Sequence, residues 1–257
     1  AAPLAQGLAY GDATAWVEVD PGSYDFEIKA SPSTASDAAV YSTGAIAVDE
    51  GDKVSAVAAG LIGSSADASK FRVLTIREDF APAGSNNAIL RVVHASPDAP
   101  SVGIDLHDDD PSSPELTNID RFTSTAEQGF PLTAGEVLQI GIAAQGQKVT
   151  AFTTPALPEG AEILVIATGL VADKPSAESG FALLAIGPEG AIGFVKQNPY
   201  VYALHASPNA PGVDLYAGDG LLAGGLSVGE IAGPVQVPPG DYDIDFRFDG
   251  SSGTTAR

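Results

Sequence analysis

With 257 residues, no cysteine and no methionine, the chain is long enough for two domains of ordinary size and can use neither disulfides nor thiolate chemistry. Thirty-three acidic against 12 basic side chains give a formal net charge of −21, a surface that repels phosphate backbones and anionic headgroups and so excludes nucleic acid and bare membrane as partners. No run of eighteen apolar residues marks a membrane-spanning helix, and 29 glycines and 19 prolines set among apolar runs fit a turn-rich β protein rather than disorder.

In chain order, Gly7-Leu8-Ala9-Tyr10-Gly11 is followed by Trp16, Val17 and Val19, read as an early strand with the only tryptophan half-buried in a sandwich core. Tyr24, Phe26 and Ile28 then alternate with Asp25, Glu27 and Lys29, the period of a strand with one buried face. Asp49-Glu50-Gly51-Asp52-Lys53-Val54 leads to Ala58-Ala59-Gly60-Leu61, and Phe71-Arg72-Val73-Leu74-Thr75-Ile76 closes this stretch. Next comes Val93-His94-Ala95-Ser96-Pro97-Asp98-Ala99-Pro100, with Val102, Ile104 and Leu106 alternating against Gly103, Asp105 and His107.

From there the landmarks return. Leu132-Thr133-Ala134-Gly135-Glu136-Val137 matches Val19-Asp20-Pro21-Gly22-Ser23-Tyr24. Pro158-Glu159-Gly160-Ala161-Glu162-Ile163, with Ala167-Thr168-Gly169-Leu170, matches the stretch from Asp49, and Phe181-Ala182-Leu183-Leu184-Ala185-Ile186 matches the one from Phe71. Leu204-His205-Ala206-Ser207-Pro208-Asn209-Ala210-Pro211 repeats the histidine motif, and Tyr242, Ile244, Phe246 and Phe248 alternate with Asp241, Asp243, Asp245, Arg247 and Asp249. No window carries a helical apolar stripe.

Self-similarity over roughly a hundred residues means tandem copies of one domain-sized unit. The landmarks predict a complete central unit over 88–198, a unit over 1–87 lacking its leading strand, and the first half of a third over 199–257. Many short strands bounded by Pro, Gly, Asp and Asn predict an all-β protein of tandem immunoglobulin-like antiparallel β-sandwich domains. A chain without methionine that starts and stops inside units is expected to be cut from a longer array or to have lost an N-terminal segment, with Ala1-Ala2-Pro3 compatible with signal-peptide cleavage.

The doubled His-Ala-Ser-Pro-(Asp/Asn)-Ala-Pro, the following Val213-Asp214-Leu215-Tyr216, the Gly-Leu-x-x-Gly segments (Gly7 to Gly11, Gly225 to Gly229) and Val237-Pro238-Pro239-Gly240-Asp241-Tyr242 resemble the bacterial and archaeal family called domain of unknown function 4397. The resemblance covers essentially the whole chain. It implies a secreted or surface-anchored β-sandwich module, commonly in tandem, with no established activity or cofactor. The central unit departs from it in having Gly103 where the last unit has Asp214.

Each candidate for chemistry also has a structural reading. His94, Ser96 and Asp98 have the residue types of a nucleophile-and-base cluster, but Pro97 and Pro100 turn the chain and Asp98 is Asn209 in the later copy, which suits an acceptor in a turn and damages a general base. The motif residues His94, Ser96, Pro97, Asp98 and Pro100, with His205, Ser207, Pro208, Asn209 and Pro211, are therefore read as structural. Gly225-Leu226-Ser227-Val228-Gly229 fits the hydrolase nucleophile elbow, yet no histidine follows Ser227 and the first unit has Ala9 in its place. Gly218-Asp219-Gly220 imitates a dinucleotide fingerprint but reads as a hairpin turn. Asp108, Asp109 and Asp110, with Asp105 and His107 nearby, form the one candidate Ca²⁺ loop, though a solvated acidic loop explains them as well. Three histidines without cysteine are too few for a zinc or copper site.

The expected function is that of an extracellular or cell-surface structural or interaction protein, not an enzyme, whose incomplete end units pair by strand addition with other copies or with other surface proteins. The alternative is a secreted ligand-binding module for carbohydrate or Ca²⁺; no other cofactor is implied.

Overall fold

In the middle of the chain the alternation of apolar and polar residues gives way to continuous apolar runs: Ile163-Leu164-Val165-Ile166-Ala167 and Phe181-Ala182-Leu183-Leu184-Ala185-Ile186. A strand apolar on both sides needs a layer against each face. The computed structural model, which describes residues 3–106 and 112–249, contains that arrangement. The chain forms two compact units, Ala1–Gln197 and Asn198–Arg257.

The first compact unit opens with four strands, β1 (Gly22–Ile28), β2 (Tyr41–Val48), β3 (Val54–Ala59) and β4 (Arg72–Arg77), paired as β1–β2 and β3–β4. Nine more follow: β5 (Asn87–His94), β6 (Val102–Asp105), β7 (Leu116–Ile119), β8 (Phe130–Thr133), β9 (Gln139–Ala144), β10 (Gln147–Thr153), β11 (Glu162–Thr168), β12 (Ala182–Gly187) and β13 (Gly190–Val195). They build a five-stranded sheet, β13-β12-β11-β5-β8, and a four-stranded sheet, β10-β9-β6-β7. Between them Leu90, Val92, Ile104, Ile142, Phe152 and Phe181 form the main core, with Phe152 and Phe181 edge to face at 5.9 Å. The protein is all-β, with no helix among the described residues. Among the described residues every ladder is antiparallel except β11–β5, which is parallel with Val165 opposite Val92.

The five-stranded sheet is buried on both sides. Val93, Leu164, Ile166 and Leu184 point away from the sandwich core and meet Val57, Ala59, Leu74 and Ile76 of β3 and β4. The first repeat thus lies back to back with the central one. Arg91, buried at this joint, donates to the carbonyl of Arg77, to the Ser124 hydroxyl at 2.8 Å and to the Thr125 carbonyl at 3.3 Å. Beside it, burial pushes the Glu78 carboxyl up, opposed by the Ser55 hydroxyl and the charge of Arg91. The Arg72 guanidinium covers the Phe122 ring at 4.2 Å.

The second compact unit holds β14 (Tyr200–Leu204), β15 (Val213–Ala217), β16 (Gly220–Leu226), β17 (Ile231–Gln236) and β18 (Ile244–Phe248), paired as β14–β17 and β16-β15-β18. This is the pairing of β5–β8 and β7-β6-β9. The strand motif Val-x-Pro-Gly-x-Tyr is closed by its own tyrosine: Tyr242 donates to the Pro238 carbonyl at 2.7 Å, and Tyr24 in the first repeat to the Asp20 carbonyl at 2.5 Å.

Two expectations are corrected. Residues 12–20 contain no strand, and Trp16 is exposed. Their counterparts β8 and β17 ladder on β5 and β14, and among the described residues the first repeat has no strand of that kind to pair with. The alternation in β18 is present, but its apolar side is open: Ile244 and Phe246 are 49% and 42% exposed, where Ile140 and Ile142 of β9 are 6% and 2% exposed. In the central repeat β11 and β12 cover that face; the second compact unit has no such pair among its described residues.

Candidate functional site

The repeated histidine motif begins where β5 leaves its sheet. Ala95 adds one last rung, its N–H donating to the Ala167 carbonyl at 2.8 Å. Pro97 and Pro100 then fix the backbone and turn the chain across the connection between β11 and β12. There the Ser96 hydroxyl donates to the Gly169 carbonyl at 2.7 Å. Asp98 receives two backbone donors, Val171 N–H on Oδ1 and Ala172 N–H on Oδ2, each at 2.9 Å. His94 Nε2 donates to the Pro100 carbonyl at 2.9 Å, which makes its neutral form the Nε2–H tautomer and pins the loop's far end. Burial holds the His94 pKa below its ordinary value, against the opposing pull of the Pro100 bond.

Arg121 completes the arrangement. Its Nε and Nη2 donate to the Ala99 carbonyl at 2.9 and 2.7 Å, and its Nη1 to the Ala68 carbonyl of the first repeat at 2.8 Å. The result is a clasp. One loop, with its serine and aspartate, ties the leading strand of a sandwich to the β11–β12 connection.

The receiving side depends on Gly169. Its φ is +82°, and a Cβ there would lie 2.5 Å from the Gly180 carbonyl oxygen, so both its conformation and its neighbour require glycine. Gly60 in the first repeat has φ +83°, with the Lys70 carbonyl oxygen 2.3 Å from a would-be Cβ. The surrounding bonds match too: Leu61 N to Ser69 O and Phe71 N to Leu61 O at 2.8 and 3.0 Å, against Leu170 N to Ser179 O and Phe181 N to Leu170 O at 2.7 and 3.0 Å.

The third repeat carries the giving side. His205 Nε2 donates to the Pro211 carbonyl at 3.0 Å, as His94 does to Pro100. The Ser207 N–H donates to His205 Nδ1 at 3.3 Å, and its hydroxyl reaches only Asn209 Oδ1 at 3.3 Å.

As chemistry, most of the cluster's bonds go to the backbone. His94 Nε2 donates to the Pro100 carbonyl and the Ser96 hydroxyl to the Gly169 carbonyl and, at 3.1 Å, to Asp98 Oδ1, and both residues are buried. Ser227 lies exposed in a turn after β16, its N–H donating to Glu230 Oε2 at 2.7 Å, just as Ala9 N–H donates to Asp12 Oδ2 at 2.8 Å. Gly218 and Asp219 form the two-residue turn between β15 and β16. Asp214 Oδ1 accepts the Gly225 N–H at 2.7 Å within its own hairpin; at the matching Gly103 a Cβ would meet Pro114 Cγ at 2.9 Å, so a side chain there would have to displace Pro114. The candidate Ca²⁺ loop Asp108, Asp109 and Asp110, with His107, lies outside the described residues. Among the described residues no three metal-ligating side chains gather.

Reading the sequence singled out the giving loop but not its receiver. The signal was there in the repeated Ala-x-Gly-Leu of Gly60 and Gly169. Arg121 left no such trace, since nothing in its local sequence announces a partner far along the chain.

A family model described as domain of unknown function (DUF4397) matches residues 1–105 and 199–257. No curated protein and no solved structure matches the chain.

Proposed function

The chain belongs to the family of the domain of unknown function 4397, and on that footing we propose that it is an extracellular or cell-surface structural protein whose tandem β-sandwich repeats join to one another. One observation carries the reading: the outer face of the central repeat's five-stranded sheet is the packing surface for β3 and β4 of the first repeat. An acidic surface keeps such an array soluble and apart from anionic membranes. The test is immunogold electron microscopy of the native cells. Label is expected outside the cell on extended assemblies, and label confined to the cytoplasm would refute the proposal.

A second reading, a carbohydrate-binding module, has one observation of its own: Tyr200 and Tyr202 lie exposed, two residues apart on β14. Isothermal titration with soluble polysaccharides tests it, and a Tyr202→Ala variant that binds as the parent does would remove it. A Ca²⁺-dependent rise in melting temperature would favour the ion-binding version.

A further inference from the structure

One turn is built the same way in all three repeats. Ala9-Tyr10-Gly11-Asp12, Asp120-Arg121-Phe122-Thr123 and Ser227-Val228-Gly229-Glu230 are each closed by the last amide donating to the first carbonyl, at 3.1, 3.1 and 3.0 Å. In the central and third repeats the turn hangs from the clasp histidine: the Phe122 and Gly229 amides donate to the His94 and His205 carbonyls, both at 2.7 Å. The third residue of the turn is left-handed throughout, with φ of +88° at Gly11, +64° at Phe122 and +86° at Gly229. The residue two places before the turn is left-handed as well, at Gly7, Asn118 and Gly225. Glycine adopts this backbone freely and asparagine tolerates it, but in phenylalanine it is strained.

Phe122 uses that bend to send its ring out of its own repeat. The ring packs on the cluster shared with β3 and β4 and lies beneath the Arg72 guanidinium of the first repeat at 4.2 Å. Arg121, the other tip residue, donates to the first repeat's Ala68 carbonyl at 2.8 Å. The first repeat's turn meets the central repeat in the converse manner. There the aromatic ring belongs to the partner: Phe194 of β13 lies on bare Gly11, where a Cβ would be 2.5 Å from the ring, and Tyr10 stacks on it at 5.6 Å. Across this one joint the tip of each turn touches the other repeat. The turn's backbone is constant, while its tip reads Tyr-Gly, Arg-Phe and Val-Gly in the three copies.

We propose that this tip pair is the recognition element by which one repeat selects its neighbour. Arg121-Phe122 takes a repeat that offers a guanidinium at the start of β4 and a loop carbonyl just before it. Tyr10-Gly11 takes one that offers an aromatic ring on β13. The proposal rests on the reading that repeats join, and it adds the basis on which they choose. Strained backbone persists where its surroundings over-determine it, so the joint holds Phe122 in a conformation that the turn alone would give to glycine.

The test is hydrogen exchange on the full chain. Phe122→Gly gives the central turn the residue of the other two copies and relieves its backbone. The β3 and β4 amides are then expected to exchange at least about tenfold faster, with β9 and β10 unchanged. Arg121→Val/Phe122→Gly, which installs the tip of the third repeat, is expected to do the same, and Phe122→Tyr, which keeps a ring, to exchange as the parent does. Should the glycine variant fail to fold, Phe122→Asn reads the same contact with a residue that tolerates the left-handed backbone. Exchange in β3 and β4 that stays at the parent rate or slows in the glycine or asparagine variant overturns the proposal, since Phe122 would then be strain without a recognition role. Equal acceleration in β9 and β10 overturns it too, as a general loss of stability, and so does a tyrosine variant that exchanges as fast as the glycine one. None of these outcomes bears on where the protein resides, which immunogold labelling of cells decides separately.

Discussion

The central and third repeats begin alike. Their first five strands pair in the same order, and each histidine donates to the carbonyl six residues on. They end differently. In the central repeat β11 and β12 roof the sheet, and Ile140, Ile142 and Phe152 vanish from solvent; in the third, Ile244 and Phe246 remain open. The contrast teaches that an apolar period marks a face able to be buried, while a second layer decides whether it is. The same holds for the motif: Ser96 and Asp98 bond to each other and also grip a neighbouring connection, while among the described residues Ser207 bonds to Asn209 and His205 inside its own loop.

The largest test of this contrast is truncation of an aromatic. Phe152→Ala, in the closed core, is expected to cost about 3–5 kcal/mol in urea unfolding. Phe246→Ala should cost well under half of that, because its side chain already meets water. Equal losses would mean that the third repeat is covered after all. Next is the clasp itself. Asp98→Ala strands two backbone donors and is expected to cost roughly 2–3 kcal/mol and to speed hydrogen exchange at the Val171 and Ala172 amides. Asn209→Ala should stay within about 0.5 kcal/mol in dilute solution.

A third test varies pH. The His94 pKa is depressed by burial in the folded chain, so the unfolded chain takes up the proton more readily. Stabilisation is complete above the ordinary value of 6.5 and is lost as pH falls through the folded value. The melting temperature should therefore hold from pH 8 to 7 and decline below about 6.5, with a shallower decline in a His94→Gln variant. Glu78 acts in the opposite sense: its raised pKa contributes stability below 4.5 that is lost as pH rises, so Glu78→Gln should steepen the acid decline. The smallest expected effect is that of Ser227→Ala. It should change stability by less than about 0.5 kcal/mol, and an active-site serine probe should label neither form.

Much of the fold could be read in the residues, for physical reasons. Val102 and Ile104 alternate with Gly103 and Asp105 because one face of β6 meets the core, and Gly218-Asp219 turns because a two-residue hairpin needs φ above zero. The parallel ladder of β11 on β5 was not legible, since strand direction leaves no mark on local period. Nor was the exposure of Trp16, in a stretch that forms no ladder among the described residues. At the site, the giving loop was visible as a repeated string. Its receiver, a glycine whose importance lies in a carbonyl 2.5 Å from an imagined Cβ, emerged only in three dimensions.

The back-to-back joint has a consequence for how such chains count. A sheet offers two sides: the five-stranded one gives its inner side to its own sandwich and its outer side to β3 and β4. Once that wall is shared, it is full, and a further repeat cannot stack against it in the same way.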